Sequence, residues 1–250
     1  MKLSNIIAPL LATGAAASAL LRPRQTESRP IYFVLAGDST TAVAGGWGDG
    51  FLETTIRSPA SGINLGHSGA TTVSFRAGGD WATVLDEIKT HTATHEVFVT
   101  IQFGHNDQKA DKNISITDYA ANLRTFAEEV TSALATPILV TPLTRRTFKN
   151  GTVVENLSNE RAATIEVAED LGVGFIDLNR ASTDYVNAVG ASAADGYNLA
   201  QGDRTHLNPW GGVIFGRMVS DLLVEKFEDV REWTVANATL SEQIRDGVAA

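Results

Sequence analysis

Cysteine is absent from all 250 residues. That excludes disulfides, thiolate metal sites and a cysteine nucleophile, so stability has to come from a packed core. A cationic excess is absent too. Lys and Arg number 20 against 29 Asp and Glu, a formal net charge of −9. No broad basic face exists to coat a polyanion, which argues against nucleic-acid binding. Beyond the N-terminal stretch no apolar run is long enough to span a bilayer. Internal repeats and linker-like segments are also missing. What is present is 43% hydrophobic and 20% charged, the composition of a globular chain long enough for one α/β domain.

The N-terminus has the pattern of a secretory leader. Met1-Lys2 gives a short positive start, residues 6–17 are mostly apolar, and Ala17-Ser18-Ala19 matches a small-x-small cleavage pattern. The expected division is a signal peptide over 1–19 and a domain over 30–250, with the mature chain starting between Leu20 and Arg29. A buried N-terminal helix is the competing reading of the same residues. Asn113, Asn150, Asn156 and Asn237 head acceptor sequons that fit a secreted glycoprotein.

Apolar runs and helical spacings alternate along the rest of the chain. Continuous β-branched and aromatic runs predict buried strands over 31–36, 97–103, 137–141 and 173–177, with a shorter one over 63–65. Helical spacing predicts helices over 51–57 and 81–90. A third is expected from a Thr117 cap to Leu134, and a fourth from a Ser158 cap to Leu171. Pro209 sits where a first helical residue belongs, opening a last long helix over 210–227. About five alternations imply a three-layer α/β/α sandwich around a five-stranded parallel sheet with right-handed crossovers, flavodoxin-like in class. Ligand sites in such sheets form at the carboxyl ends of the strands, so Ser39, Asn106 and Arg145 should share one rim. The pattern leaves residues beyond Val230 unplaced.

Three distant segments complement one another chemically on that rim: Gly37-Asp38-Ser39-Thr40, Gly104-His105-Asn106-Asp107 and Asp203-Arg204-Thr205-His206. The first offers a hydroxyl, the second a carboxamide, the third a carboxylate and an imidazole three residues apart. A serine needs a base within hydrogen-bonding reach, and the base needs an orienting acid. Ser39, His206 and Asp203 supply these groups, and Asn106 supplies an oxyanion donor.

With a glycine block added, Gly69 in His67-Ser-Gly-Ala-Thr71, the pattern resembles the SGNH or GDSL hydrolase superfamily over residues 31–227. Thr40, His105 and the phrase Thr141-Pro-Leu-Thr-Arg-Arg146 look most like its fungal rhamnogalacturonan acetylesterase branch. The resemblance implies Ser39 as nucleophile, His206 as base and Asp203 as its orienting acid. It also implies an oxyanion hole from the Ser39 and Gly69 N–H groups and the Asn106 amide, and no metal or organic cofactor. Gly69 enters on family likeness alone; its turn otherwise reads as an ordinary loop. The expected product is a secreted monomeric esterase acting on acetylated polysaccharide, with no nucleic-acid or membrane partner. A lipase, or an acetylesterase for another polysaccharide such as xylan, is the alternative.

Other residues invite a role. His91 and His95 are spaced like helical metal ligands but lack the zinc-protease glutamate, and read as solvent-facing. His105 is expected to pack under the site, Asp38 and Asp107 to stabilise their loops, and Trp47 either to line the cleft or to fill the core. The glycines at 45–50 do not follow a phosphate-binding spacing. Arg145, Arg146 and Lys149 form a basic cluster that is either a solvated loop or, for Arg145 and Arg146, a clamp for a uronic-acid substrate.

Overall fold

The structure, a computed structural model, describes residues 29–250. The segment 1–19 read as a leader lies outside the described residues. Seven strands form among the described residues: β1 (Ile31–Gly37), β2 (Ser61–Asn64), β3 (Glu96–Gln102), β4 (Thr136–Val140), β5 (Phe148–Lys149), β6 (Thr152–Val153) and β7 (Gly174–Ile176). The helices are α1 (Gly48–Thr55), α2 (Thr72–Ala77), α3 (Asp80–His91), α4 (Ile116–Ser132), α5 (Ser158–Leu171), α6 (Leu178–Asp195), α7 (Pro209–Lys226) and α8 (Ala238–Arg245).

Five strands make one sheet in the order β2-β1-β3-β4-β7, every neighbour parallel. Parallel strands need crossovers, and here helices supply them on both faces. Alternation along the strands divides the core in two. Ile31, Phe33 and Leu35 pack with Trp47, Phe51, Ile214 and Phe215 on the side of α1, α6 and α7. Tyr32, Val34 and Ala36 pack with Phe75, Val84, Leu123 and Phe126 on the side of α2 to α5. Each fully buried Ile, Val, Leu or Phe among them contributes about 2 kcal/mol. Strand order reverses at β1: the chain leaves it for β2 on one side and returns to β3 on the other. That reversal opens a crevice at the carboxyl ends of β1 and β3, the place where open α/β sheets bind ligands.

Helix ends differ from the sequence reading in instructive ways. Ser115, not Thr117, caps α4, through a reciprocal capping box with Asp118. Leu134 is not on the apolar face of α4. It lies past the helix end at φ 63° and is 86% exposed. Ser158 is the first helical residue of α5 rather than its cap. Residues 178–195, which no pattern singled out, form α6, kinked at Gly190. The residues after Val230 include α8, whose Leu240 and Ile244 join the α6–α7 core. Pro209 does open α7, and Asn208 caps it by accepting from the Gly211 N–H at 2.8 Å. Helix α1 lies so close to α7 that a Cβ on Gly50 would strike the Gly212 backbone, and one on Gly216 the backbone of Phe51. None of the helices in the described residues is long and apolar enough to cross a membrane.

Candidate active site

The nucleophile loop is built by side chains that accept from their own turn. As β1 ends at Gly37, paired in register with Gln102 of β3, Asp38 turns inward and is fully buried. Its Oδ1 accepts from the Thr40 N–H at 2.9 Å and the Thr40 hydroxyl at 2.8 Å. Beneath the loop, Gln102 Nε2 donates to Thr40 Oγ1 at 2.6 Å and Thr41 Oγ1 at 3.1 Å. Gln102 Oε1 accepts from Trp47 Nε1 at 3.0 Å. Trp47 is therefore core, not cleft lining. The result is a rigid turn with Ser39 at its tip, 7% exposed.

The base arrives on the loop before α7. His206 Nε2 lies 2.8 Å from Ser39 Oγ, and its Nδ1 lies 2.9 Å from Asp203 Oδ2. The other carboxylate oxygen, Asp203 Oδ1, accepts from the Thr205 N–H at 3.1 Å and the His206 N–H at 3.0 Å. Burial tends to raise the Asp203 pKa, but these backbone and imidazole donors outweigh it and hold the carboxyl below the usual range. A carboxylate fixed in this way keeps the imidazole proton on Nδ1 and leaves the Nε2 lone pair facing the serine hydroxyl. The Leu207 N–H donates to the Gly45 carbonyl at 2.8 Å, tying the base loop to the glycine stretch beyond Ser39.

Three donor groups lie on segments that meet at the strand ends, where the His67 N–H donates to the Gly37 carbonyl at 2.9 Å. Gly69 has φ 84°, and neither its N–H nor that of Ser39 donates to any group among the described residues. Asn106 is buried, with Nδ2 donating to the Ala70 carbonyl at 2.9 Å and Oδ1 accepting from Lys109 Nζ at 2.7 Å. The glycine block and the Asn106 block are pinned together by Asp107, whose Oδ1 accepts the Thr72 N–H at 2.9 Å and the Thr72 hydroxyl at 2.6 Å. Asp107 thus anchors the neighbouring segment and not only its own loop.

The basic cluster needs correction. Arg146 is not at the surface: it is fully buried, with Nε donating to Asn198 Oδ1 at 2.6 Å and Nη2 to the His206 carbonyl at 2.6 Å. Burial pushes its pKa down to about 10, against the pull of Asp203 and Asp195. Arg145 is half-buried and donates to the His105 carbonyl at 3.2 Å. Successive arginines after β4 therefore grip the main chain of the base loop and of the Asn106 loop. Only Lys149, in the β5–β6 hairpin, is exposed. A side chain with no exposed surface does not clamp a polymer. Arg146→Met is expected to cost about 2–3 kcal/mol by leaving buried acceptors unpaired, and to lower kcat while KM for acetylated oligomers stays within twofold. Urea denaturation and steady-state kinetics check it, and a rise in KM alone would restore the clamp.

Neither His105 nor His91 bonds to Ser39. His105 is buried, with Nδ1 3.5 Å from Asp38 Oδ2. Burial pushes the Asp38 pKa up, yet this imidazole and the Thr40 donors hold it low. His91 does not face solvent freely. It is half-buried and stacked on Tyr32 with centroids 3.5 Å apart. Among the described residues no cluster of three metal-ligating side chains exists. Sequence reasoning missed Gln102, Lys109 and Asn198. Gln102 had a signal, a carboxamide at the end of an apolar strand; the other two had none.

A serine on the β1 loop, an imidazole bonded to it from before the last long helix and a carboxamide after β3 have the geometry that a GDSL-type serine hydrolase uses. The model of the GDSL-like Lipase/Acylhydrolase family matches residues 35–212, and the chain belongs to that family. Among individual relatives, it is 32% identical over 163 residues to RhgT, a rhamnogalacturonan acetylesterase of Bacillus subtilis (strain 168), covering 60% of this chain and 66% of that one. This chain thus matches just under two thirds of that relative's length. YesY of the same strain, described as a probable rhamnogalacturonan acetylesterase, is 26% identical over 202 residues, 76% of this chain and 90% of YesY. The fold is shared with the Bacillus subtilis protein YXIM, with TM-score 0.68 and 24% identity over 79% of this chain and 56% of that one. These relatives are bacterial, where the motifs had pointed to the fungal branch.

Proposed function

We propose that this protein is a secreted, monomeric, single-domain serine esterase that removes acetyl groups from a pectic polysaccharide, rhamnogalacturonan. The observation that carries the chemistry is the continuous chain Ser39 Oγ, His206 Nε2, His206 Nδ1, Asp203 Oδ2, with links of 2.8 Å and 2.9 Å. The substrate class rests on likeness to RhgT and YesY.

In this reading Ser39 Oγ attacks the acetyl carbonyl carbon while His206 Nε2 takes its proton. The carbonyl oxygen becomes an oxyanion that receives the free N–H groups of Ser39 and Gly69 and the second Nδ2 hydrogen of Asn106. Collapse breaks the bond to the sugar oxygen, which leaves with the proton from Nε2. Water then attacks the acetyl carbon with His206 Nε2 taking its proton, the bond to Ser39 Oγ breaks, and the proton passes from Nε2 to Oγ as acetate leaves. No step uses a metal or an organic cofactor, and neither a membrane nor a nucleic acid takes part.

One feature favours a longer acyl group. A groove of about 420 Å³ passes Gly45, whose ideal Cβ would lie 3.7 Å from the His206 ring, and carries the exposed side chains of Val43 and Leu199. Asp49 and Glu53 line the same groove and oppose an acyl chain or a uronate there. Acetate release from acetylated rhamnogalacturonan, xylan and mannan, set beside hydrolysis of acetyl and octanoyl p-nitrophenyl esters, separates the readings. Rhamnogalacturonan is expected to be preferred at least tenfold in kcat/KM, and acetyl over octanoyl. Preference for octanoyl would make the protein a lipase, and preference for xylan would move the substrate.

A further inference from the structure

The Asn106 carboxamide is held at both ends. Its Oδ1 accepts from the Lys109 ammonium at 2.7 Å, and its Nδ2 donates to the Ala70 carbonyl at 2.9 Å. An ammonium has only donors and a carbonyl oxygen only lone pairs, so these two partners fix which end of the amide is which. One Nδ2 hydrogen is thereby consumed and one is left. Ala70 adjoins Gly69, so the same bond sets Asn106 against the glycine block. The Lys109 N–H also donates to the Asn106 carbonyl at 3.1 Å, closing a turn that folds the lysine back over the residue it contacts. Lys109 pairs directly with no carboxylate among the described residues.

A cation on the oxygen of an amide favours the resonance form with negative oxygen and positive nitrogen. The N–H hydrogens then carry more positive charge and bind an anion more strongly, the cooperative polarisation expected of a hydrogen-bond chain; Lys109 itself is exposed, while the Asn106 amide it contacts is buried. That gain is larger in the transition state than in the ground state, because the bound ester oxygen is neutral and becomes charged only as the tetrahedral species forms.

We propose that Lys109 is a positioning residue for the oxyanion hole: through its ammonium on Asn106 Oδ1 it locks the carboxamide orientation and strengthens the remaining Nδ2 hydrogen as a donor. The inference rests on the esterase reading above. It gives Lys109 a part in kcat and none in recognising the polysaccharide.

The test uses p-nitrophenyl acetate, which has no carboxylate for a lysine to grip. Wild type, Lys109→Met, Lys109→Arg, Asn106→Ala and the Lys109→Met/Asn106→Ala double variant are compared for kcat, KM and melting temperature. Removing the donor itself in Asn106→Ala costs about 10² to 10³ in kcat. Lys109→Met is expected to lower kcat about tenfold, less than loss of the whole donor, with KM within twofold and the melting temperature unchanged. Lys109→Arg recovers most of the rate, since a guanidinium also donates to Oδ1. In the Asn106→Ala background, Lys109→Met has less than a twofold effect, because the group it acts through is gone. An unchanged kcat in Lys109→Met, a change in KM alone, or the same tenfold loss in the Asn106→Ala background overturns the proposal. If Lys109→Met is unstable, Lys109→Gln and the rate of Ser39 labelling by a fluorophosphonate, whose phosphoryl oxygen occupies the same hole, give the same comparison. Wild-type protein that neither hydrolyses any ester nor takes the label removes the esterase reading and this inference together. A turning-over wild type with an indifferent Lys109→Met removes this inference alone.

Discussion

Ser39→Ala and His206→Ala are each expected to lower kcat by about 10⁶, with the double variant no worse than either alone. The size follows from how nucleophile and base behave as a unit in a well-studied serine hydrolase. The reason here is geometric. Among the described residues the one side-chain partner of Ser39 Oγ is His206 Nε2, to which it donates at 2.8 Å. The buried imidazole of His105 lies below the loop, 3.5 Å from Asp38, and has no bond to Ser39. Neither substitution should unfold the protein. The loop is held by Asp38, Thr40, Gln102 and Trp47, none of which uses the Ser39 side chain. Melting temperatures within a degree or two of wild type, beside abolished acetate release, are the expected pair of results. Activity above about 1% in His206→Ala would show that another group serves as base.

The rim was legible because its parts sit next to strong strand signals. β1 and β3 are continuous apolar runs, and the residues just past them emerge at the sheet's carboxyl edge whatever the helices do. Asp-x-x-His before Pro209 was legible because the proline marks a helix start and so a loop before it. The supporting shell was not. Arg146 reads as charge on a loop, yet its partners are a main-chain carbonyl 60 residues on and the side chain of Asn198. Main-chain acceptors leave no residue-type signature, so no pattern of side chains announces them. Helix α6 was hidden for a related reason. Its buried face includes Asn179, Ser182 and Thr183 beside Leu178, Tyr185 and Val186, so hydrophobic spacing fades where small polar residues do the packing. Two of those residues bond the loop after β4: Asn179 Nδ2 donates to the Pro142 carbonyl at 2.7 Å, and the Thr144 N–H donates to Ser182 Oγ at 3.1 Å. The same polarity that obscured the helix fixes the segment carrying both arginines.

The acid of the triad yields the second large effect. Asp203→Asn is expected to lower kcat by about 10⁴, and Asp203→Ala by no more than that. The order depends on the two oxygens having different partners. Oδ1 accepts two backbone N–H groups, from Thr205 and His206, so an asparagine at 203 has to keep its oxygen on that side. Turning the amide round would set its NH₂ against two donors. With the oxygen so placed, the NH₂ faces His206 Nδ1, which can answer only as an acceptor. The imidazole proton then moves to Nε2, where it points at Ser39 and blocks proton abstraction. Alanine removes the orienting group without imposing the wrong tautomer, and leaves room for water on Nδ1. Carboxylates below neutrality bear on the pH range for the comparison. Because the Asp203 pKa is lowered in the fold, its charge and the stability it adds are fully present above the unfolded value of about 3.9 and are lost only as pH falls through the lower folded value. Measurements at pH 7 to 8 therefore report the tautomer and not titration of the acid. Nuclear magnetic resonance of the ring protons distinguishes the cases: Nδ1–H in wild type, Nε2–H in Asp203→Asn. An asparagine variant that is faster than the alanine variant, or that keeps its proton on Nδ1, would show that Asp203 acts by charge alone.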